Sequence, residues 1–178
     1  MIISIHQPNF CPYNGFFQKV AACDVFVIMR CCQFEKNNYQ NRFFDGEKWQ
    51  TMRVSKSIEN IIDKEYLFAH EDFNKIIKKH PNLNVFNHCI RKSVSDTNIN
   101  IIIHALKLQG IKTKIVFDYP TELKGTERLI DIVKTFKGTT YLSGISGKNY
   151  LNLQAFKDNN IELLFQENII NKPFNEII

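Results

Sequence analysis

The chain has 178 residues, of which 44% are hydrophobic and 12% aromatic, so we expect one domain, residues 1–178, with a buried core that includes most of the fifteen phenylalanines. Its net charge of +5 is scattered along the chain, which argues against nucleic-acid binding and suits small anionic ligands such as phosphates, the alternative being an ordinary solvated surface. The five cysteines are irregularly spaced, no signal peptide opens the chain and no apolar run is long enough for a membrane span, so we expect a reduced, cytoplasmic protein.

The first elements predict a strand, a polar loop, a helix and a second strand. Residues 2–5 form a β-branched apolar run that is typical of a buried strand and is interrupted by Pro8. A short helix is predicted at 16–22 and a second buried strand at 25–29. Two apolar strands joined by a helix indicate a parallel βαβ unit, whose first loop lies at the carboxyl edge of the sheet, where open α/β sheets bind ligands.

The remaining elements extend the same pattern. Residues 33–55 are polar and aromatic, and the turn at Asp45-Gly46 predicts a hairpin leading into an alternating strand at 49–54. Helices are predicted at 71–80, 83–92, 98–109, 126–137 and 152–159. Strands are predicted at 114–117, 139–142 and 161–165. We therefore predict an α/β fold, a three-layer open and mostly parallel sheet with helices on both faces, with a polar hairpin inserted after strand two.

The first candidate motif is His6-Gln7-Pro8-Asn9, directly after the first strand. An imidazole in that place can donate to a phosphate or move a proton near neutral pH, so His6 is the predicted catalytic residue. Gln7 and Asn9 are predicted to orient the substrate by hydrogen bonds. The alternative is a structural histidine.

A second motif follows strand two and is expected at the same sheet edge. Its cationic and amide side chains can hold an anion, Arg in a bidentate way, and the alternative is an ordinary polar loop. The predicted substrate-binding residues here are Gln33, Lys36, Gln40, Asn41 and Arg42.

A third motif is the Ser- and Gly-rich turn after the strand at 139–142. Its backbone N–H groups can face an anion, although the spacing is not that of a Walker A loop and such residues are also common in plain turns. The predicted substrate-binding residues here are Ser143, Gly144, Ser146, Gly147 and Lys148.

Other reactive side chains predict less. Cys11 lies in the first loop and is an alternative nucleophile beside His6. The adjacent Cys31 and Cys32 lack the spacing of a zinc pair, and His104 is expected to pack on a helix among apolar residues. His70, His80 and His88 form no metal-ligand pattern. The sequence therefore predicts no metal site and identifies no cofactor.

These motifs together resemble the WbqC-like family. The resemblance rests on segments in the same order at both ends of the chain: Ile5-His6-Gln7-Pro8-Asn9, Pro12, Gly15-Phe16, Asp24-Val25-Phe26-Val27, Gln33-Phe34, Gln40-Asn41-Arg42, Tyr141-Leu142-Ser143-Gly144, Ser146-Gly147-Lys148 and Tyr150-Leu151. Members of that family resemble proteins encoded in clusters for O-antigen, capsule and other surface polysaccharides. The resemblance thus implies a role in lipopolysaccharide or related glycan biosynthesis.

The sequence departs from the family pattern in two places. Arg30-Cys31 stands where the family commonly has two acidic residues, and the segment after the last strand lacks the aromatic, His- and Pro-bearing ending. The first departure implies lost catalysis if those carboxylates bind a metal or act as bases, and the second suggests a divergent or shortened member. A more distant likeness, to the nucleotidyltransferase superfamily, is topological: His6 and the 143–148 turn occupy positions analogous to its phosphate-binding loops, but the two-His signature is absent.

The sequence therefore supports two functional hypotheses. The first is a transferase of surface-polysaccharide biosynthesis that acts on a nucleotide or nucleotide-sugar, with acyl or aminoacyl transfer to an amino sugar as one reaction class. The alternative is a non-catalytic nucleotide-sugar-binding protein. The expected partner in either case is the small molecule, and the sequence does not indicate the oligomeric state.

Overall fold

The computed structural model describes residues 1–178 as seven strands and six α-helices. The strands are β1 (Ile2–His6), β2 (Val25–Ile28), β3 (Arg42–Phe44), β4 (Trp49–Thr51), β5 (Lys114–Phe117), β6 (Thr140–Ser143) and β7 (Glu162–Phe165). The helices are α1 (Asn14–Ala21), α2 (Ala69–Lys79), α3 (Val94–Leu108), α4 (Gly125–Thr135), α5 (Leu153–Asp158) and α6 (Phe174–Ile177). Short 3-10 helices occupy Ile61–Asp63, Pro81–Cys89 and Ile145–Asn149.

Contacts within the chain define two compact units. The sheet unit comprises Met1–His6, Gln18–Met29 and Thr113–Ile169. The hairpin unit comprises Gln7–Phe17, Arg30–Lys112 and Ile170–Ile178. A single domain over residues 1–178 therefore stays a prediction.

The sheet unit contains a five-stranded sheet in the order β5-β2-β1-β6-β7. All four pairings are parallel, as expected for strands that read as continuous apolar runs. β1 lies at the centre of the sheet, with β2 and then β5 on one side and β6 and then β7 on the other. The predicted α/β class, with a mostly parallel open sheet flanked by helices and a separate hairpin after strand two, is confirmed.

Helices cover both faces of this sheet. On one face, alternate strand residues such as Ile3, Ile5 and Tyr141 pack with apolar residues of α4 and with Phe156 of α5 in one buried cluster. On the opposite face, the ammonium group of Lys19 on α1 lies 6.0 Å from the ring of Phe26. These layers leave the ends of the strands, rather than the faces of the sheet, for binding a ligand.

The hairpin unit is built on an antiparallel pair and an aromatic core. β3 pairs with β4 through Phe43 and Gln50, as the turn at Asp45-Gly46 predicted. Phe10, which is fully buried, lies 5.9 Å from the ring of Phe43 and 6.3 Å from the ring of Tyr66. The loop after β1 is therefore anchored in this core by its own aromatic side chain.

The carboxylate of Asp45 closes the hairpin turn. It accepts hydrogen bonds from the backbone N–H of Glu47 and Lys48 and from the Gln50 amide, and His80 Nε2 lies 3.0 Å from it. Burial by itself would raise the pKa of Asp45, but these hydrogen bonds together lower it below its ordinary value. The turn is thus held by an ionised side chain.

Two predicted helices are different in the structure. The helix predicted at 98–109 begins at Val94, because the Ser93 side chain accepts a hydrogen bond from Asp96 N and caps it. The segment predicted as a helix at 83–92 is the 3-10 helix Pro81–Cys89, which begins at the proline that was expected only to end the preceding helix. No helix in the structure is both long and apolar enough to cross a membrane.

Candidate functional site

Two predicted motifs follow neighbouring strands, β1 and β6, at the carboxyl edge of the sheet unit. β1 ends at His6 and its neighbour β6 ends at Ser143. The two strands are in register at Ser4 and Leu142, and Ser4 Oγ donates to Leu142 O at 2.8 Å. Because neighbouring strands lie about 4.8 Å apart, His6 and Ser143 leave the sheet at the same edge.

Side-chain alternation separates these two residues. His6 shares a face with Ser4, whereas Ser143 shares a face with Tyr141 in the apolar cluster. The strands therefore bring His6 and Ser143 to one edge but direct them to opposite faces. A common ligand would have to reach over the end of the sheet.

The Ser- and Gly-rich motif forms a tight turn rather than an open loop. Ser143 Oγ donates to Gly144 O at 3.1 Å, and Gly147 N donates to Gly144 O at 3.0 Å. Gly147 is buried against Ser143, and a Cβ added to it would lie 2.1 Å from Ser143 Oγ. Ser143 and Gly147 thus hold the turn, while Ser146 and Lys148 are exposed and available to a ligand.

The Lys148 side chain is positioned by an aromatic ring. Its ammonium group lies 5.3 Å from the ring centroid of Phe165, the last residue of β7. Tyr141, on β6, is buried, which raises its pKa; the nearby Tyr150 raises it further, and a hydrogen bond with Ser143 opposes this. The Tyr141 phenol is therefore neutral. Lys148 is the cationic group of this turn.

A buried ion pair at the same edge was missed by the sequence analysis. Asp118 directly follows β5, and Arg128 Nη2 lies 3.1 Å from its carboxylate, with both side chains almost fully buried. Arg128 also donates to Tyr119 O, and its Nη1 is buried without a hydrogen-bond partner. A polar side chain directly after a predicted strand was the criterion that selected His6, and Asp118 meets the same criterion.

Lys19 is a second titratable group that the sequence analysis missed. Its ammonium group donates to Ile5 O at 3.4 Å, one residue before His6, and the side chain is only 4% exposed. Burial lowers the pKa of Lys19 to about 7, although the nearby Cys23 opposes the shift. A lysine that titrates near neutral pH therefore lies against the strand that carries the predicted catalytic histidine.

The hairpin unit brings Gln7 and Gln40 together. Gln40 Nε2 donates to Gln7 Oε1 at 2.5 Å, and Gln7 Nε2 donates to Cys32 Sγ at 3.4 Å. Gln40 Oε1 accepts from Glu35 N at 3.2 Å. These amides orient each other, so two of the predicted substrate-binding residues form one hydrogen-bonded group.

A buried amide that the sequence analysis did not select, Asn98, anchors the loop after β1 and the loop after β2. Asn98 Nδ2 donates to Pro8 O at 2.8 Å and to Gln40 O at 2.7 Å, and Tyr66 Oη donates to Asn98 Oδ1 at 2.9 Å. Phe10 N also donates to Tyr39 O at 2.8 Å. No sequence pattern pointed to Asn98, because its partners are distant in the chain.

The other predicted binding residues of this unit differ in their surroundings. Arg42 is stacked on Trp49 with its guanidinium carbon 4.1 Å from the ring centroid, and it donates to Asn37 O. Asn41 Nδ2 donates to Met52 O at 2.8 Å, so this amide supports the hairpin. Of the other predicted residues, Asn9 is buried and Lys36 is exposed. Gln33 is exposed, and its backbone forms an isolated antiparallel β-bridge with Asn60.

Cys11 does not have the environment of a nucleophile. It is 1% exposed, and burial, together with the nearby Cys89, raises the pKa of its thiol well above the ordinary value. The thiolate that attack requires is therefore disfavoured. The structure argues against the Cys11 alternative.

Comparison with known proteins identifies the family of the chain. The chain matches the WbqC-like protein family over residues 7–82 and 48–176. It is 26% identical over 184 aligned residues to an uncharacterized protein, Rv1507c, of Mycobacterium tuberculosis, an alignment that covers 90% of this chain and 80% of the mycobacterial protein. No solved structure matches the chain. Because the family match extends over nearly the whole sequence, the chain belongs to the WbqC-like protein family.

Proposed function

We propose that this protein is a cytoplasmic transferase of surface-polysaccharide biosynthesis, for O-antigen or capsule, that binds a nucleotide or nucleotide-sugar. The observation that carries the proposal is the sheet edge at which His6 and the turn with Ser146 and Lys148 follow two paired parallel strands. Ligands of open α/β sheets bind at the carboxyl ends of strands. Membership of the WbqC-like family supports the polysaccharide pathway, because members of that family resemble proteins encoded with surface-polysaccharide genes.

The roles at this edge follow from the chemistry of each group. The exposed Lys148 ammonium and Ser146 hydroxyl, together with the N–H group of Gly144, bind phosphate oxygens. The Gly147 N–H donates to Gly144 O and helps to close the turn. Ser143 keeps the turn closed through its bond to Gly144 O. His6 donates to the phosphate or moves a proton. The remaining predicted substrate-binding residues all lie in the hairpin unit, and their contact with a substrate stays a prediction: Gln7, Asn9, Gln33, Lys36, Gln40, Asn41 and Arg42.

The reaction class we favour is acyl or aminoacyl transfer to an amino sugar. The sugar amine attacks the carbonyl carbon of an acyl thioester or aminoacyl ester, a C–N bond forms, and the C–S or C–O bond breaks. His6 accepts the proton that the amine loses and returns it to the departing thiolate or alkoxide. Atoms and charge balance without a redox partner.

Calorimetric titration tests the binding step. Folded protein is titrated with UDP, GDP, CDP and UDP-N-acetylglucosamine, and we expect at least one to bind. Lys148→Met should weaken that binding about tenfold or more, because a charge-assisted contact to phosphate is lost. Lys157→Met, which removes an exposed lysine on α5, is the matched control and should leave binding unchanged. Absence of binding to every nucleotide, or equal effects of the two variants, would refute the proposal.

The second candidate is a non-catalytic nucleotide-sugar-binding protein. It is favoured by Arg30-Cys31, which follows β2 after Met29 and stands where family members commonly carry two carboxylates. His6→Ala distinguishes the candidates. If the wild type converts the bound sugar nucleotide in the presence of an acyl donor and the variant does not, the protein is a transferase. If both proteins bind equally and neither forms product, it is a binding protein.

A further inference from the structure

A cluster of metal-ligand side chains lies in the hairpin unit. His88 and Cys89 are the last residues of the 3-10 helix Pro81–Cys89, and His104 is on α3. One ligand atom from each of the three residues lies within 4.8 Å of the other two. They border an open cleft of about 220 Å³, which is lined also by Arg91, Asn100, Ile103 and Lys107.

The distances within this cluster are close to those of a tetrahedral site. Zinc binds imidazole nitrogen at about 2.0–2.1 Å and thiolate sulfur at about 2.3 Å, so a tetrahedral N–Zn–S edge measures about 3.6 Å. His88 Nε2 and Cys89 Sγ are 3.5 Å apart. The ring centroids of His88 and His104 are 4.8 Å apart. A small contraction would therefore bring all three ligand atoms to bonding distance from one ion.

We propose that His88, Cys89 and His104 form a binding site for Zn²⁺, with a fourth coordination position open to the cleft. Two imidazoles and one thiolate are a ligand set that suits zinc, whereas Mg²⁺ and Ca²⁺ require oxygen ligands. Three protein ligands with an open fourth position are typical of sites that bind an exchangeable ligand rather than of closed structural sites. This site is independent of the proposed nucleotide-sugar function.

The surroundings adjust the protonation of the ligands. Burial, with the nearby His88 and Lys107, lowers the pKa of His104, which favours the neutral imidazole. Burial raises the pKa of Cys89, while Arg91 opposes the shift. Because a thiol ligates a metal as its thiolate, binding of the ion releases a proton.

The charged residues of the cleft suggest what occupies the fourth position. Arg91 Nη1 donates to the carbonyl oxygens of His88 and Ile90, both at 2.8 Å, so its guanidinium is fixed beside the cluster. Lys107 lines the same cleft. Two cations beside a zinc ion favour an anionic fourth ligand, such as hydroxide or a carboxylate, over a neutral one.

Cobalt titration tests the site directly. Chelator-treated full-length protein is titrated with Co²⁺, and we expect one equivalent to produce thiolate-to-cobalt charge-transfer absorption and the intense visible bands of a tetrahedral ion. Zn²⁺ should bleach both, and Mg²⁺ should not. His88→Asn, Cys89→Ser and His104→Asn should each weaken Co²⁺ binding by more than about 100-fold, because outer-shell changes alone typically cost 10–100-fold.

Two controls separate a site from general cysteine or histidine binding. His70→Asn removes an exposed histidine on α2, and Cys31→Ser removes a partly exposed cysteine; neither should alter the titration. His88 is itself exposed, so His88→Asn tests the site even if the two more buried ligand variants fail to fold. The proposal is overturned if the wild type binds neither cobalt nor zinc, or if binding by His88→Asn equals that of His70→Asn.

Discussion

Replacing Gly147 by alanine should destabilise the protein through one identifiable clash. The added Cβ would lie 2.1 Å from Ser143 Oγ, far inside van der Waals contact, and 3.0 Å from Leu151 Cδ1, which is tighter than an ordinary contact. To make room, Ser143 must rotate and lose its hydrogen bond to Gly144 O, and Leu151 must shift within a buried site. The turn that carries Lys148 would then be distorted from within.

The cost can be estimated from these two movements. The lost hydrogen bond is worth about 0.5–1.5 kcal/mol and a displaced side-chain rotamer about 0.5–1.5 kcal/mol. Their sum agrees with the 1–3 kcal/mol or so that overpacking usually costs. In a chain of this size, about 2 kcal/mol lowers the midpoint of thermal unfolding by roughly 4–8 °C, which circular dichroism can measure.

Gly144→Ala is the matched control. A Cβ there meets nothing within 4 Å, and Gly144 has φ −65°, which alanine adopts readily. This variant should be neutral or slightly stabilising. A Ser143→Ala background should reduce the cost of Gly147→Ala by about 1 kcal/mol, because the closest clashing atom is gone. Equal stability of the two glycine variants, or no relief by Ser143→Ala, would refute the steric explanation.

Three further predictions concern buried polar groups. Lys19 has a pKa of about 7 when folded and 10.5 as its ordinary value, so between these pH values the unfolded chain binds more protons than the folded one. The free energy of unfolding should therefore rise with pH by up to about 1.4 kcal/mol per unit. Lys19→Met should remove this rise in thermal midpoints recorded from pH 7 to 10, and an unchanged slope would contradict it. Arg128→Met should cost about 3–5 kcal/mol in urea unfolding by breaking the buried ion pair with Asp118, and adding Asp118→Asn should recover part of it; no recovery would mean that the ion pair is not the cause. Asn98→Ala should cost about 2 kcal/mol or more, because the carbonyls of Pro8 and a neighbouring loop lose their donor, and a change below about 0.5 kcal/mol would exclude that anchoring role.

The structure brings some of the predicted site residues together. Strand pairing places His6 and Ser143 at one edge of the sheet unit, and hydrogen bonds join Gln7 to Gln40 in the hairpin unit. A shared ligand site for all the predicted residues stays a prediction. The internal contacts of Ser143 and Arg42 assign these two side chains a role in supporting their loops.

Local patterns in the sequence were enough to predict the sheet. Strands buried on both faces read as short apolar runs, so the segments at β1, β2 and β6 were recognisable without any knowledge of their partners. Right-handed crossovers then place the ends of parallel strands at one edge, so the polar residues after them could be grouped from their order alone. The hairpin at Asp45-Gly46 was equally local, because turn residues specify it.

Only the tertiary structure decided which distant side chains meet. Asn98 bonds to carbonyls that are 90 and 58 residues away, the His88-Cys89 pair meets His104 across two elements, and Asp118 pairs with Arg128 through packing of α4. Such contacts depend on how the elements pack and on their register. Neither can be derived from the hydrophobic periodicity or from the residue spacing of the sequence. For the same reason, the sequence could indicate that His6 and the Ser143 turn share an edge, but the register of β1 with β6 was needed to show that they point to opposite faces.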